Sequence, residues 1–353
     1  MERVVIKTCD VYDVKRLKAL LSISFQEIAW KIGNAKVLIK PNLLIGKTPE
    51  KAITTHPAVI QAIAELLKDH SCNVSVGDSP GYGSTEKVLN YSGIMEVIDY
   101  LGLSIAHFKH NIIKKSNGLS PYREFLFGDD PDNYDVVVNV PKLKTHTMMG
   151  LTLGVKNTFG FIHSYEKPKW HLRAGKDRFL FASVLIDIHN IVKPSITVLD
   201  GIIGMDGDGP SSGRPRNLGV LGVGKNAFAF DECVEKLISL PYPMPITHLA
   251  KKHGLIPEYQ IVSDVIPVID DFRMPKTIDT DWNMPGFAKR LLKNAFIKKP
   301  KLNKKNCKGC AVCVKVCPAS ALSIQNSKPL FDYVRCIRCY CCQEMCPEGA
   351  IKV

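Results

Sequence analysis

Long apolar runs are missing from this 353-residue chain. No segment approaches the ~18 uninterrupted apolar residues that a membrane-spanning helix needs. The start, MERVVIKTCDVYD, lacks the basic region and apolar stretch of a secretion signal. These absences predict a cytoplasmic chain without a transmembrane helix. Acidic residues are missing too, from Trp282 to Phe331, where eleven Lys and Arg side chains stand unopposed. Cysteine is scarce through most of the length, with only Cys9, Cys72 and Cys233 before residue 307. That distribution excludes a disulfide framework. An apolar fraction of 45% with 8% aromatic residues excludes a disordered chain and suits one sizeable domain plus a small one.

The other nine cysteines fall between Cys307 and Cys346. CKGCAVCVKVCPASALSI (307–324) and CIRCYCCQEMCPEGAIKV (336–353) are two copies of C-x2-C-x2-C-x3-C-P, offset by 29 residues. Three thiolates at gaps of three let one short loop supply three corners of an iron-sulfur cube, and the fourth must come from elsewhere. Zinc knuckles use paired C-x2-C units, which explain tandem triplets poorly. The segment resembles bacterial ferredoxins along its whole length. That resemblance implies two [4Fe-4S] clusters with crossed fourth ligands: one cluster on Cys307, Cys310, Cys313 and Cys346, the other on Cys336, Cys339, Cys342 and Cys317. Cys341 is left over and reads as a packing residue. Two clusters on one small module form a relay more readily than a brace, so electron transfer is expected.

The net charge of +13 is concentrated around these cysteines. Part of it offsets the negative charge of thiolate-bound clusters and makes them easier to reduce. The remainder suits an acidic redox protein or reductase as partner. No nucleic-acid recognition motif accompanies the basic stretch, so no nucleic-acid partner is expected. GFAKRLLKNAFI (286–297) patterns as a basic amphipathic helix, either a linker or a point of peripheral membrane contact.

Residues 1–285 alternate short Val/Ile-rich runs with helical patterns. Strands are predicted near residues 4, 35, 73, 135, 195 and 217, and helices over 11–21, 57–70, 93–101, 178–192 and 228–240, with Thr55 as a cap for the second. The fold class is α/β with a mostly parallel sheet, followed by a basic linker (286–302) and a small α+β ferredoxin-like domain (303–353). Each predicted strand runs into a Gly- or Pro-bearing loop, and in an open parallel sheet such loops share one edge. The crevice there would gather Lys40 and Asn42, Asp78 and Ser79, Lys142, Lys144 and His146, then Lys156, Asn157 and His163. Cations, amides and imidazoles at a strand edge grip a carboxylate or phosphate and move a proton.

DSPGYGSTEK matches neither the dinucleotide nor the triphosphate fingerprint, since Glu86 stands where the third glycine belongs. GMDGDGP offers Asp206 and Asp208, but a calcium loop does not continue from it, and a tight turn is expected. The strings KPN, GDSPG, NVPKLKTH, GLTLGVKNTFG and DGIIGMDGDGP together resemble the family called domain of unknown function 362, over nearly the whole chain. Members are commonly labelled iron-sulfur cluster-binding proteins, so the resemblance implies architecture rather than a reaction.

Taken together, a tail that passes single electrons to an anionic small molecule at the strand tips is expected. His146 would be the proton donor, Lys144 and Lys156 would hold the anion, and Asn42 with Asp78 would orient it. The absence of a flavin, haem or nicotinamide fingerprint leaves room for an additional cofactor of unknown kind. An electron carrier without catalysis, or a non-redox enzyme whose clusters are sensors, are the alternatives.

Overall fold

The computed structural model describes residues 1–240, 242–265, 269–275, 277 and 298–353. The Val/Ile-rich runs form strands because β-branched side chains fit a pleated surface buried on both faces. In chain order these are β1 (Glu2–Thr8), β2 (Lys36–Pro41), β3 (Asn73–Gly77) and β4 (Ser104–Ala106). A separate hairpin follows, β5 (Ile112–Lys115) with β6 (Glu124–Phe127). The main sheet resumes with β7 (Val136–Val140), β8 (Lys142–His146), β9 (Gly150–Thr152), β10 (Ile196–Asp206), β11 (Arg214–Gly224) and β12 (Tyr259–Val262).

The strand order is β12-β1-β11-β10-β7-β2-β3-β4, with β8 beside β10 and β9 beside β8. Six of the nine pairings in this sheet are parallel. Successive residues point to opposite faces. Val37 and Ile39 therefore join the core under the helices Val14–Glu27 and Pro57–Asp69, while Leu38 joins the core under Arg178–Val192. Helices cover both faces, and the carboxyl ends of β2, β3, β7 and β10 share one edge.

Two sequence expectations need correction here. Thr55 does not cap the Pro57–Asp69 helix: His56 does, its side chain accepting from Ala58 N, because Pro57 already holds the first helical position. The Thr55 hydroxyl instead donates to the Val140 carbonyl at 2.7 Å and accepts from Asn42 N at 2.9 Å. Further, KLKTH is a strand and not a loop. Its side chains are all buried, and it lies between β10 and β9.

The tail has two short antiparallel pairs, Lys301–Leu302 with Ile351–Lys352 and Leu322–Gln325 with Lys328–Phe331. Each cysteine repeat carries one helical turn, Val312–Lys315 in the first copy and Cys341–Glu344 in the second. The amphipathic segment 286–297 lies outside the described residues.

Candidate functional site

Two strand ends build the floor of the crevice. Asp78, just past β3, accepts from Leu43 N at 2.8 Å and pairs with Lys40 Nζ at 2.9 Å. Lys40 is fully buried, so desolvation lowers its pKa while Asp78 opposes the shift. Gly160 lies directly on this pair. A Cβ there would stand 1.9 Å from Asp78 Oδ1 and 2.5 Å from Lys40 Nζ, so only glycine fits. Beside the pair runs a chain of amides: Asn42 Nδ2 donates to Asn157 Oδ1 (3.0 Å), Asn157 Nδ2 to Asn139 Oδ1 (2.8 Å), and Asn139 Nδ2 to the Gly154 carbonyl (2.8 Å). Asn42 Oδ1 at the end of the chain is unpaired.

Above this floor is a cavity with an empty volume of about 650 Å³, counting its open mouth. Asn42, Asp78, Ser79, Lys156 and Asn157 line it, as the sequence predicts. Lys167 and His171 also line it, and they were not foreseen. They stand four residues apart on the helix Lys167–Ala174, a spacing that puts both on one face and was the available signal. Lys156 makes no hydrogen bond or ion pair with another described residue, and burial lowers its pKa. Lys167 donates to the Ser79 carbonyl, and burial brings its pKa down to about 7. His171 is only 6% exposed, its Nδ1 has no partner, and burial holds its pKa at about 4. The opposite wall is apolar, with Leu43, Leu44, Phe159 and Pro168.

The tail completes the cavity. Val316, Cys341, Glu344 and Met345 line it from the second domain. Met345 packs where Gly81 leaves room, since a Cβ on Gly81 would lie 2.5 Å from the Met345 methyl. Gln343 reaches the other side of the joint: its Nε2 donates to the Asp208 carbonyl at 2.9 Å, and its Oε1 lies 2.6 Å from Thr147 Oγ1.

Lys144 and His146 lie behind this wall and not in the cavity. Lys144 is buried, donates to the Ile53 carbonyl, and has its pKa driven well down by burial and by Lys156 and Lys142. His146 uses both nitrogens: Nδ1 accepts from Met148 N and Met149 N, and Nε2 lies 3.0 Å from Glu344 Oε1. The two backbone donors fix the proton on Nε2, so a neutral imidazole N–H stands beside the Glu344 carboxylate. Burial holds His146 at about 4. Burial alone would raise Glu344, yet His146, His171 and Lys156 hold it down to about 2. The geometry therefore makes His146 a link between the domains rather than the proton donor expected from the sequence. Lys142 pairs with Asp200 at 2.8 Å, and His163 rests against Tyr165; neither lines the cavity. Asp206 ends β10 and pairs with Arg214, the first residue of β11, at 2.9 Å, so GMDGDGP leads into the β10–β11 turn.

The cysteines fall into two groups that fit the crossed pairing. Cys313 feels the charges of Cys346, Cys310 and Cys307, while Cys317 feels those of Cys339 and Cys336. Cys342 feels Cys339, Cys336 and Cys317 first, and then Cys313 of the other group. A small cavity is lined by Cys307, Cys310, Cys313 and Cys346 together. In each copy the last cysteine sulfur accepts from a backbone amide four residues on, Ala321 N to Cys317 and Ala350 N to Cys346, both at 3.2 Å. Such N–H···S bonds tune cluster potentials. Cys341 belongs to neither group; its neighbour Cys339 and burial push its thiol pKa well up, and it lines the main cavity.

The fold and site define an α/β protein whose strand-edge crevice is closed by a cysteine-rich, ferredoxin-like tail. The family model described as Domain of unknown function (DUF362) matches residues 37–235, and that of a 4Fe-4S dicluster domain matches residues 298–350. The chain belongs to the DUF362 family. It is similar to the "Thylakoid-associated protein sll1697" of Synechocystis sp. (strain ATCC 27184 / PCC 6803 / Kazusa), with 30% identity over 270 residues, 74% of this chain and 84% of that protein. Among solved structures it is similar to the lactate racemase apoprotein from Thermoanaerobacterium thermosaccharolyticum, with a TM-score of 0.40 and 10% identity. That match covers 63% of this chain and about half (54%) of the other.

Proposed function

We propose that this chain is an oxygen-sensitive iron-sulfur oxidoreductase that moves single electrons between a protein partner and an anionic small molecule held in the cavity. The observation that carries this reading is the composition of that cavity, which takes cations and an apolar wall from the α/β domain and is completed by Val316, Cys341, Glu344 and Met345 of the cysteine-rich tail. Cys307, Cys310, Cys313 and Cys346 would hold one [4Fe-4S] cluster, and Cys336, Cys339, Cys342 and Cys317 the other. Bound there, they supply one-electron chemistry.

The chain's own residues do the rest. Lys156 and Lys167 bind the anionic group, at strength raised by the reduced dielectric inside the cavity. Asn42, through its unpaired oxygen, accepts from a donor group elsewhere on the ligand and so orients it. Lys167, poised near neutrality, gives or takes a proton, and His171 Nδ1 accepts one. Leu43, Leu44 and Phe159 exclude water. At the far side of the tail, Cys310 is exposed beside Lys308, an entry point suited to an acidic one-electron donor. No helix among the described residues is long and apolar enough to cross a membrane. A cytoplasmic place of work is part of this proposal, and the thylakoid association named for the cyanobacterial relative fits contact at a membrane surface.

The test is anaerobic purification of the full chain and of a Lys156→Gln/Lys167→Gln variant, with metal and sulfide analysis and mass spectrometry of released small molecules. The expected result is about eight iron atoms with acid-labile sulfide, as two cubes require. An anionic compound should leave the wild type, be missing from the variant, and reoxidise the reduced wild type when added back. Zinc without sulfide would overturn the reading. Normal clusters with no bound compound, and reoxidation only by partner proteins, would replace it with an electron carrier.

A further inference from the structure

The thiol that no cluster needs stands in the wall of the cavity. Cys341 is 5% exposed and lines the cavity. Its counterpart in the first repeat is Val312, at the same place after a left-handed residue, Ala311 (φ 60°) in one copy and Tyr340 (φ 63°) in the other. The backbone therefore accepts a small apolar side chain at this position, and packing does not call for sulfur. Around the thiol the cavity has two buried polar atoms without partners, His171 Nδ1 and Asn42 Oδ1, and the Lys156 ammonium, which makes no hydrogen bond with a described residue and feels first the Glu344 carboxylate and then Cys341. Buried polar atoms left unpaired mark a place where a ligand completes the bonding.

We infer that Cys341 is the substrate-facing thiol of this cavity and that the substrate class is a small disulfide carrying carboxylates, drawn in by Lys156 and Lys167. The step is a thiol–disulfide exchange. The Cys341 sulfur bonds to one sulfur of the ligand, the ligand's S–S bond breaks, and the thiol proton leaves with the released half as a second thiol. Reduction of the whole disulfide to two thiols takes two electrons and two protons, the electrons coming from an acidic one-electron donor protein. This deepens the proposed function by naming the chemistry of the molecule held in its cavity. The residues favour a carboxylate-bearing ligand over a neutral one because two lysines, Lys156 and Lys167, line the cavity and neither forms an ion pair within 4 Å among the described residues.

The test uses the anaerobic full chain with its iron in place and two disulfides of similar size, anionic dithiodiglycolate and neutral bis(2-hydroxyethyl) disulfide. Adducts are located by peptide mass spectrometry. The anionic reagent should modify Cys341 at least ~10-fold faster, the difference in affinity that one good charge-assisted contact supplies. Lys156→Gln and Lys167→Gln should erase that preference. Cys341→Val, which copies the first repeat, should keep its iron and form no adduct. An inert Cys341, or a neutral reagent that reacts as fast with no response to the lysine variants, would overturn the inference. If those results come from protein that still exchanges electrons with its released compound, the proposed function stands and only the disulfide chemistry falls. A zinc-bound tail would remove the proposed function itself.

Discussion

The two cysteine repeats share spacing, helical turn and N–H···S bond, yet one faces solvent and the other is enclosed. In the first copy Cys310 is exposed and Lys315 closes the turn. In the second, all four residues of Cys341–Glu344 are buried. Aligned position by position, Val312, Val314 and Lys315 become Cys341, Gln343 and Glu344. Those three substitutions meet the cavity, the Thr147 and Asp208 loops, and His146. Holding a cluster fixes the cysteines and leaves the positions between them free. The second copy has used that freedom to dock on the α/β domain.

The crossed ligation gives the largest expected effect and the sharpest way to break the comparison. Cys317→Ser lies in the first copy but should remove the cluster of the second, and Cys346→Ser the reverse. Each should lower iron from about eight to about four atoms per chain, with distinct electron paramagnetic resonance signals surviving. Loss of the same signal in both variants would show that ligation is not crossed.

Next comes the joint itself. Glu344→Lys gives the second copy the residue of the first and puts a cation among His146, Lys144 and Lys156. Breaking a buried pair and leaving the charge uncompensated costs about 3–5 kcal/mol. The tail should undock, visible as rapid proteolysis near the linker and a larger radius in X-ray scattering. Gln343→Val removes the hydrogen bond to the Asp208 carbonyl and the contact with Thr147, at a cost of about 1–3 kcal/mol, and should weaken docking without abolishing it.

This contrast also shows what the chain declares in advance. The parallel sheet was legible because Val/Ile runs such as VLIK and VVVNV leave no polar face for water, and a shared strand edge brings Asn42 and Asp78 together. Lys144 and His146 sit behind the cavity because KLKTH is a strand, where the sequence pattern predicts a loop after β7. The alternation of Leu143 and Thr145 with charged residues has the period of a strand, and burying cations by pairing or carbonyl contact is a tertiary effect that no local pattern shows. Lys167 and His171 were visible as a four-residue spacing and passed over. That the tail roofs the crevice could not be read from spacing alone, although its agents were visible as the places where the second repeat departs from the first.

Acid should probe the enclosed copy through its histidine partner. His146, His171, His56 and His189 are each held at about 4 by burial, against an ordinary 6.5. As pH falls from 6.5 towards 4, the unfolded chain takes up protons at these rings and the folded chain does not, so their stability contribution is lost over that window. Asp231, raised by burial to about 8, and Glu235, raised to about 7, act oppositely: folding keeps their protons, so their contribution grows as pH falls towards 4. His146→Gln keeps a donor for Glu344 and cannot titrate. Between pH 7 and 5 it should lose up to about 2 kcal/mol less stability than the wild type, read from urea midpoints of iron-loaded protein. Equal losses would place the acid sensitivity outside the joint.

The smallest effect on stability belongs to the open copy. Lys315→Glu, which gives it the residue of the second, and Lys308→Gln both lie at exposed positions, so unfolding should change by no more than about 0.5 kcal/mol. Their effect should appear instead in the rate at which an acidic donor reduces the tail. At low ionic strength, Lys315→Glu combined with Lys308→Gln should slow that reduction several-fold, because encounter is steered by charge. The gap should close near ~0.5 M salt, where the screening length falls below about 5 Å. A rate that ignores both the substitutions and the salt would move the entry point away from Cys310. The comparison would then keep its enclosed half, a copy that faces the cavity, and lose its claim that the exposed copy meets the donor.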